Sequence, residues 1–321
     1  MVRGRAGDWN VGRSFGIIRR VWPVILHVGP LTIYSFGTMA ALACIAAAWV
    51  TEHEMNRRGL PGDVAWSMSI WAAFVGFVTS SIWYYVQQHF WDLLAHPLGT
   101  LLASASATWD QFEAAEGSLP RRALSTLAGA GSGFVWYGGL IGGVLTVTWI
   151  IRRHRLPWLK TVDCAAPALA LAHAIGRIGC QLAGDGDWGV PSDVPWAMAY
   201  PHAIIGWPPL DEHGVPYPAT VRVHPTPVYE MLAYLAIFGV LWSLRKRPHA
   251  DGAIFWWYLV LAGIARFAVE FWRTNAHVAF GLTAAQVSSL ALIAIGAWRL
   301  IATRSSAEVA VVDPLVQPAR R

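Results

Sequence analysis

Seven apolar runs, each about 17 to 22 residues long, dominate this chain and leave little choice of fold. They lie near residues 30–50, 65–86, 133–151, 162–178, 226–244, 253–272 and 282–302. A helix needs about 20 apolar residues to cross the hydrocarbon core of a bilayer. Inside that core every backbone N–H and C=O must find its partner within the protein. The sequence therefore predicts an all-α polytopic membrane protein with about seven transmembrane helices. Composition agrees. Charged residues make up 13% of the chain, about half the share of a soluble domain. A single integral membrane domain is expected over 1–304, with a disordered C-terminal tail over 305–321.

Charge placement orients the spans. Arg152, Arg153, Arg155 and Lys160 follow the third span, Arg245-Lys246-Arg247 the fifth, and Arg299 and Arg304 close the seventh. Basic residues gather on the cytoplasmic side of membrane proteins. Counting back puts the N-terminus outside and the C-terminus in the cytoplasm. Arg3, Arg5, Arg13, Arg19 and Arg20 run against this assignment. The net charge of +5 sits at helix ends, where topology already requires it, so no nucleic-acid partner is expected. The apolar run past Cys44 reads as a span rather than a cleaved signal. Cys44, Cys164 and Cys180 have neither disulfide nor metal spacing. No metal and no cofactor is expected. Two segments fall outside the spans. Residues 87–132, with Trp91 and Pro97, read as an interfacial arm, and 179–224, rich in Pro, Gly, Asp and Trp, as a structured outer loop.

Ionisable residues in apolar helices mark function more often than packing. Arg266, Glu270 and Arg273 share one face of the sixth span, at its outer end. Arg177 closes the fourth span on the same side, so Arg177 and Arg266 are expected to meet in an outer-leaflet cavity. Two guanidiniums suit the oxygens of a phosphate, which points to an anionic lipid headgroup. Glu230 and Tyr229, one turn into the fifth span, add a carboxylate and a hydroxyl. Glu230 is read either as a partner of the arginines or as a structural pair. Tyr34, in the first span, is an interface anchor or a site residue, and Tyr137 stands at the same outer edge. Gly138, Gly139, Gly142 and Gly143 form a small face that suits close helix packing. His173, four residues before Arg177, fits a hydrogen-bonded core histidine. No sequence pattern of a zinc protease, nucleotide-binding loop or serine hydrolase occurs in a usable context.

In their order these motifs resemble the prolipoprotein diacylglyceryl transferase family. The resemblance rests on Ile33-Tyr34, His96-Pro-Leu98, Tyr137-Gly-Gly-Leu-Ile-Gly142, Gly176-Arg-Ile-Gly179 through Gly184-Asp185 and Gly189, and Pro195-Trp-Ala-Met198. It continues with His224-Pro225, Tyr229-Glu230, Arg266-Phe-x-x-Glu270-Phe-x-Arg273 and Gly281-Leu-Thr-x-x-Gln286. The chain departs from the pattern at Tyr137, where the best-known members have His. Cys180 replaces a signature Asn and Asp185 a signature Glu, with one extra residue before Gly189.

The resemblance implies a bacterial inner-membrane enzyme whose site faces the outer leaflet. Its donor would be phosphatidylglycerol and its acceptor the lipobox cysteine of a prolipoprotein signal peptide. Glycerol 1-phosphate would leave. Arg177, Arg266, Tyr137 and Glu270 are the catalytic candidates. Tyr34, Gly138, Gly139, Asp185, Gly189, His224, Glu230 and Arg273 are the substrate-binding ones. For the thiol proton, Tyr137, Asp185, Glu270 and His224 stay open. A lipid-binding relative without turnover, or a transferase with another acceptor, would share the fold. A small-solute transporter fits less well, because the charges crowd one membrane face.

Overall fold

The computed structural model describes residues 21–28, 31–95, 136–211 and 214–312. Seven long helices stand where the apolar runs predict them: α1 (Ser35–Arg57), α2 (Val64–Gln88), α4 (Trp136–Arg153), α5 (Trp158–Ala183), α6 (Thr226–Leu244), α7 (Ala253–Val269) and α8 (Ala284–Val312), with a short α3 (Phe90–Ala95) after α2. Five of them, α1, α2, α6, α8 and α7 with its 3-10 extension to Trp272, are long and apolar enough to cross a membrane. Trp49, Leu145, Trp149, Trp298 and Ile301 stand exposed along the helices, as side chains facing lipid do.

The all-α expectation needs one amendment. Two antiparallel hairpins, β1 (Val24–Val28) with β2 (Leu31–Tyr34) and β3 (His277–Ala279) with β4 (Leu282–Thr283), lead into α1 and α8. The first and last spans therefore begin a few residues later than their apolar runs. Thr32-Ile33-Tyr34 is as apolar as a helix end but has strand-forming residues. At the other terminus α8 runs on to Val312, past the point where the tail is expected to be disordered. Ser305-Ser-Ala-Glu-Val-Ala-Val-Val312 has no Gly or Pro to stop it. Of the expected interfacial arm, only the stretch through α3 is described; its remainder, the start of the third span and the basic N-terminal residues lie outside the described residues.

α5 is the hub. It packs on α1, α6 and α7, while α2 pairs with α4 and α7 with α8. Ala166, Ala170 and Ala174, one turn apart on α5, are buried against Tyr234, Ile237 and Leu241 of α6 and Ala262 of α7. Small side chains let these helices approach closely. α5 ends at Gly184, whose left-handed backbone (φ 63°) donates its N–H to the Cys180 carbonyl, the common helix stop at glycine. The segment that follows packs around Trp188, Met198, Tyr200 and Val223.

Ionic groups gather at both ends of the bundle. At the end formed by the α1–α2, α4–α5 and α6–α7 turns, Glu54 pairs with Arg57 and Arg245, and Asp163 with Arg58. Asp163 also accepts the N–H groups of Gly252 (2.7 Å) and Phe255 (2.9 Å). It thereby satisfies donors that the first turn of α7 leaves open. The opposite end holds the candidate site.

Candidate active site

The arginines and carboxylates expected on separate spans meet at one end of α5, α6 and α7. Arg266 donates from Nη1 to Glu230 Oε1 at 2.7 Å, and its Nη2 lies 2.7 Å from Glu270 Oε2. Arg177 pairs with the other oxygen of Glu230 and, through Nη1, with Asp187. Arg273 pairs with Asp187 and reaches Glu270 at 3.9 Å. The result is a closed ring of alternating charge: Arg177, Glu230, Arg266, Glu270, Arg273, Asp187 and back to Arg177. Arg273 also crosses it to Glu230 at 3.7 Å. Three positive groups face three negative ones, so the ring as a whole is neutral. Glu230 and Glu270 have side chains with no solvent exposure, a placement that unpaired carboxylates would not tolerate.

Local structure sets each member. Arg266 and Glu270 are i, i+4 on one helical face, as predicted, and the chain tightens to a 3-10 turn over Glu270–Trp272. Glu270 Oε1 also accepts from Asn275 Nδ2 and Thr283 Oγ1, both at 2.7 Å. Thr283 is fixed in turn: its N–H donates to Gln286 Oε1 (3.1 Å) and its Oγ1 accepts from the Gln286 N–H (3.2 Å). This reciprocal cap starts α8 and ties it to the ring. His173 lies face to face with Tyr234 at 3.7 Å, with Nε2 3.5 Å from Glu230. It adjoins the ring as a packed histidine.

Asp187 is the member that sequence reasoning missed, having taken Asp185. The resembled signature places its acid three residues before the glycine. Asp185 lies four before Gly189 and Asp187 two, so spacing cannot choose between them. Geometry can. Asp185 turns toward the Asp187 N–H (3.3 Å) and Cys180 rather than the arginines. Burial, and then the charge of Asp187, raise the Asp185 carboxyl above the usual range. Burial alone would raise Asp187 too, but Arg177 and Arg273 outweigh it and hold its carboxyl at about 2.

The other candidates divide by position. Gly189 serves close approach: it pairs with Arg273 across an antiparallel bridge, and a Cβ there would overlap the Trp272 carbonyl and press on Thr226 and His224. It thus fixes the segment after α5 against Arg273. Gly138 and Gly139 pack α4 on α2, where a Cβ at 138 would lie 2.5 Å from the Thr79 carbonyl oxygen. Tyr137 donates to the Ala284 carbonyl at 3.4 Å, next to Thr283. Tyr34 stands immediately before α1, half exposed. His224 Nδ1 lies 2.8 Å from the Tyr229 hydroxyl, which also accepts from Trp196 Nε1 at 2.7 Å. His224 and Tyr229 pack near Trp272, so an aromatic group stands beside the ring. Burial lowers the His224 imidazole below its ordinary range. Three partly buried guanidiniums beside an aromatic group offer donors that suit the oxygens of a phosphate.

Comparison with known proteins agrees with this chemistry. A sequence model described as prolipoprotein diacylglyceryl transferase matches residues 23–302. A phosphatidylglycerol–prolipoprotein diacylglyceryl transferase of Xylella fastidiosa is 31% identical over 300 residues, 85% of this chain and 90% of that protein. One of Nitratidesulfovibrio vulgaris is 30% identical over 298 residues, covering 90% and 96%. One of Clostridium tetani is 27% identical over 277 residues, covering 85% and 94%. With the match spanning nearly all the helices and both halves of the ring, the chain belongs to the prolipoprotein diacylglyceryl transferase family.

Proposed function

We propose that the protein transfers the diacylglyceryl group of phosphatidylglycerol to the cysteine thiol of a prolipoprotein signal peptide. The observation that carries this reading is the ring of three arginines, gathered where the helices end. The cysteine sulfur attacks the glyceryl carbon that bears the phosphate. The C–O bond to that phosphate breaks, its electron pair leaves with glycerol 1-phosphate, and a thioether forms. The phosphodiester becomes a monoester, so negative charge grows on the departing oxygens. Arg177 and Arg266 stabilise it, Arg273 holds the headgroup, and Glu230 and Glu270 orient the guanidiniums.

The thiolate is the attacking species, so a base must take the proton. Glu270 is committed to Arg266, Asn275 and Thr283, and Asp185 faces Cys180. His224 fits better. When Nδ1 donates to Tyr229, Nε2 carries a free lone pair, and the depressed imidazole is neutral at pH 7. Tyr137 acts as a positioning residue through Ala284, and Tyr34 borders the lipid entrance. Gly138 and Gly139 set the α2–α4 wall, and Gly189 sets the loop over Arg273.

All seven long helices cross the bilayer in this reading. The N-terminus lies outside, the C-terminus in the cytoplasm, and the site opens to the outer leaflet of the bacterial inner membrane. The bundle end rich in Arg and Lys supports this orientation.

The test combines purified protein, phosphatidylglycerol and a lipobox peptide, with mass spectrometry reading a diacylglyceryl adduct on the cysteine. The adduct should form with wild type and vanish with a Cys→Ser peptide. Arg177→Ala should cost about 10²–10³ in rate, the usual loss on removing one oxyanion donor. Lipid binding without any adduct would replace this reading with a binding-only role.

A further inference from the structure

The ring has no spare positive charge, and that raises a question about how an anion enters. Each guanidinium already faces at least two carboxylates. A phosphate reaching Arg177 and Arg273 must replace something. Glu230 and Glu270 cannot yield: both are fully buried, and Glu270 is held by Thr283 and Asn275 as well. Asp187 differs on every count. It lies on the outer segment rather than on a spanning helix, its side chain is 27% exposed, and both its partners are arginines. Its backbone is pinned, with the carbonyl accepting from Thr226 Oγ1 and from Arg273 Nη1, so only its side chain need turn.

We propose that Asp187 is a built-in stand-in for the lipid phosphate: it occupies Arg177 and Arg273 in the empty enzyme and rotates away when the phosphate arrives. The inference rests on phosphatidylglycerol being the donor. In the absence of lipid, Asp187 keeps two partly buried guanidiniums neutralised. In its presence the phosphate takes both, and the carboxylate turns to the solvent-exposed side. The affinity for lipid is then reduced by the fraction of time Asp187 holds the arginines.

The experiment measures binding of phosphatidylglycerol to the purified full chain in neutral detergent by titration calorimetry. Diacylglycerol serves as the phosphate-free control and inorganic phosphate as the free anion. Asp187→Asn should bind phosphatidylglycerol about ten- to hundredfold more tightly, the worth of one competing charge-assisted pair. Diacylglycerol binding should not change. Inorganic phosphate should compete with the lipid more strongly in the variant than in wild type. Asp187→Glu, which keeps the charge should the Asn variant not fold, should bind no more tightly than wild type. Equal or weaker lipid binding by a folded Asp187→Asn, or tighter binding by Asp187→Glu, would overturn the inference. If wild type still forms the adduct in that case, the function stands and only this role for Asp187 falls. A wild type that neither binds nor transfers would remove both.

Discussion

Two aspartates two residues apart, Asp185 and Asp187, have opposite surroundings, and the contrast makes a direct prediction. Asp185 is half-buried beside another carboxylate, with no arginine bonded to it. Asp185→Asn removes a charge that burial disfavours, so it should leave the melting temperature unchanged or raise it, and transfer should stay within about threefold of wild type, the range of a surface-like change. A large loss of transfer would put Asp185 back among the working residues. His224 offers a second prediction. Its imidazole must be neutral to accept the thiol proton, and burial has lowered its affinity for protons. Transfer should therefore hold through pH 7 and fall on the acid side, below about 6.5, the ordinary histidine value. His224→Gln should lower the rate and erase that limb; an unchanged profile would assign the base elsewhere. At this scale much of the ring was legible. Arg177, Glu230, Arg266, Glu270 and Arg273 announce themselves as charges on apolar helices. Asp187 was not legible, because in a polar loop an aspartate is unremarkable and only the fold brings it between two guanidiniums.

Helices were the more readable level, and their joints the less. Apolar runs of spanning length locate the seven long helices, since length and hydropathy are local properties. The hairpins before α1 and α8 were hidden because short apolar strands look like helix ends until a partner strand is present. The role of Gly138 shows how a joint is decided by contact rather than pattern. Alanine is worth about 1 kcal/mol over glycine in a helix, which favours substitution. A Cβ at 138 would sit 2.5 Å from the Thr79 carbonyl oxygen and 2.6 Å from Trp83 Cβ. A backbone carbonyl cannot swing aside, and overpacking costs about 1–3 kcal/mol. The overlap wins, so Gly138→Ala should lower the melting temperature and part α2 from α4. Gly176, with nothing within 4 Å of a Cβ, is the internal comparison: Gly176→Ala should be neutral or mildly stabilising. Equal behaviour of the two variants would argue against packing as the reason for glycine at 138.

The molecule has two ionic ends that look alike in sequence and differ in use. At one, Asp163 is spent on Arg58 and on the first turn of α7, and Arg245 on Glu54 and the Trp242 ring; these charges close helix turns. At the other, three arginines and three carboxylates close a ring across the ends of three helices. The helix ends and turns at the first end carry Arg152, Arg153, Arg155, Lys160, Lys246 and Arg247. Translocating such segments across a membrane is disfavoured, whereas the segment over 184–224 carries Asp185, Asp187, Asp193, Asp211 and Glu212 against a single arginine, Arg222. The asymmetry predicts which end faces the cytoplasm. Cysteines placed at exposed positions test it: Asp193→Cys on the outer segment and His154→Cys in the α4–α5 turn. The native Cys164 and Cys180 are buried and Cys44 is half-buried, so a maleimide should find the new thiols first. With a membrane-impermeant reagent on intact cells, Asp193→Cys should label and His154→Cys should label only after permeabilisation. The reverse pattern would place the ring on the cytoplasmic side, where no secreted precursor presents its cysteine after translocation, and would remove the proposed acceptor along with the orientation.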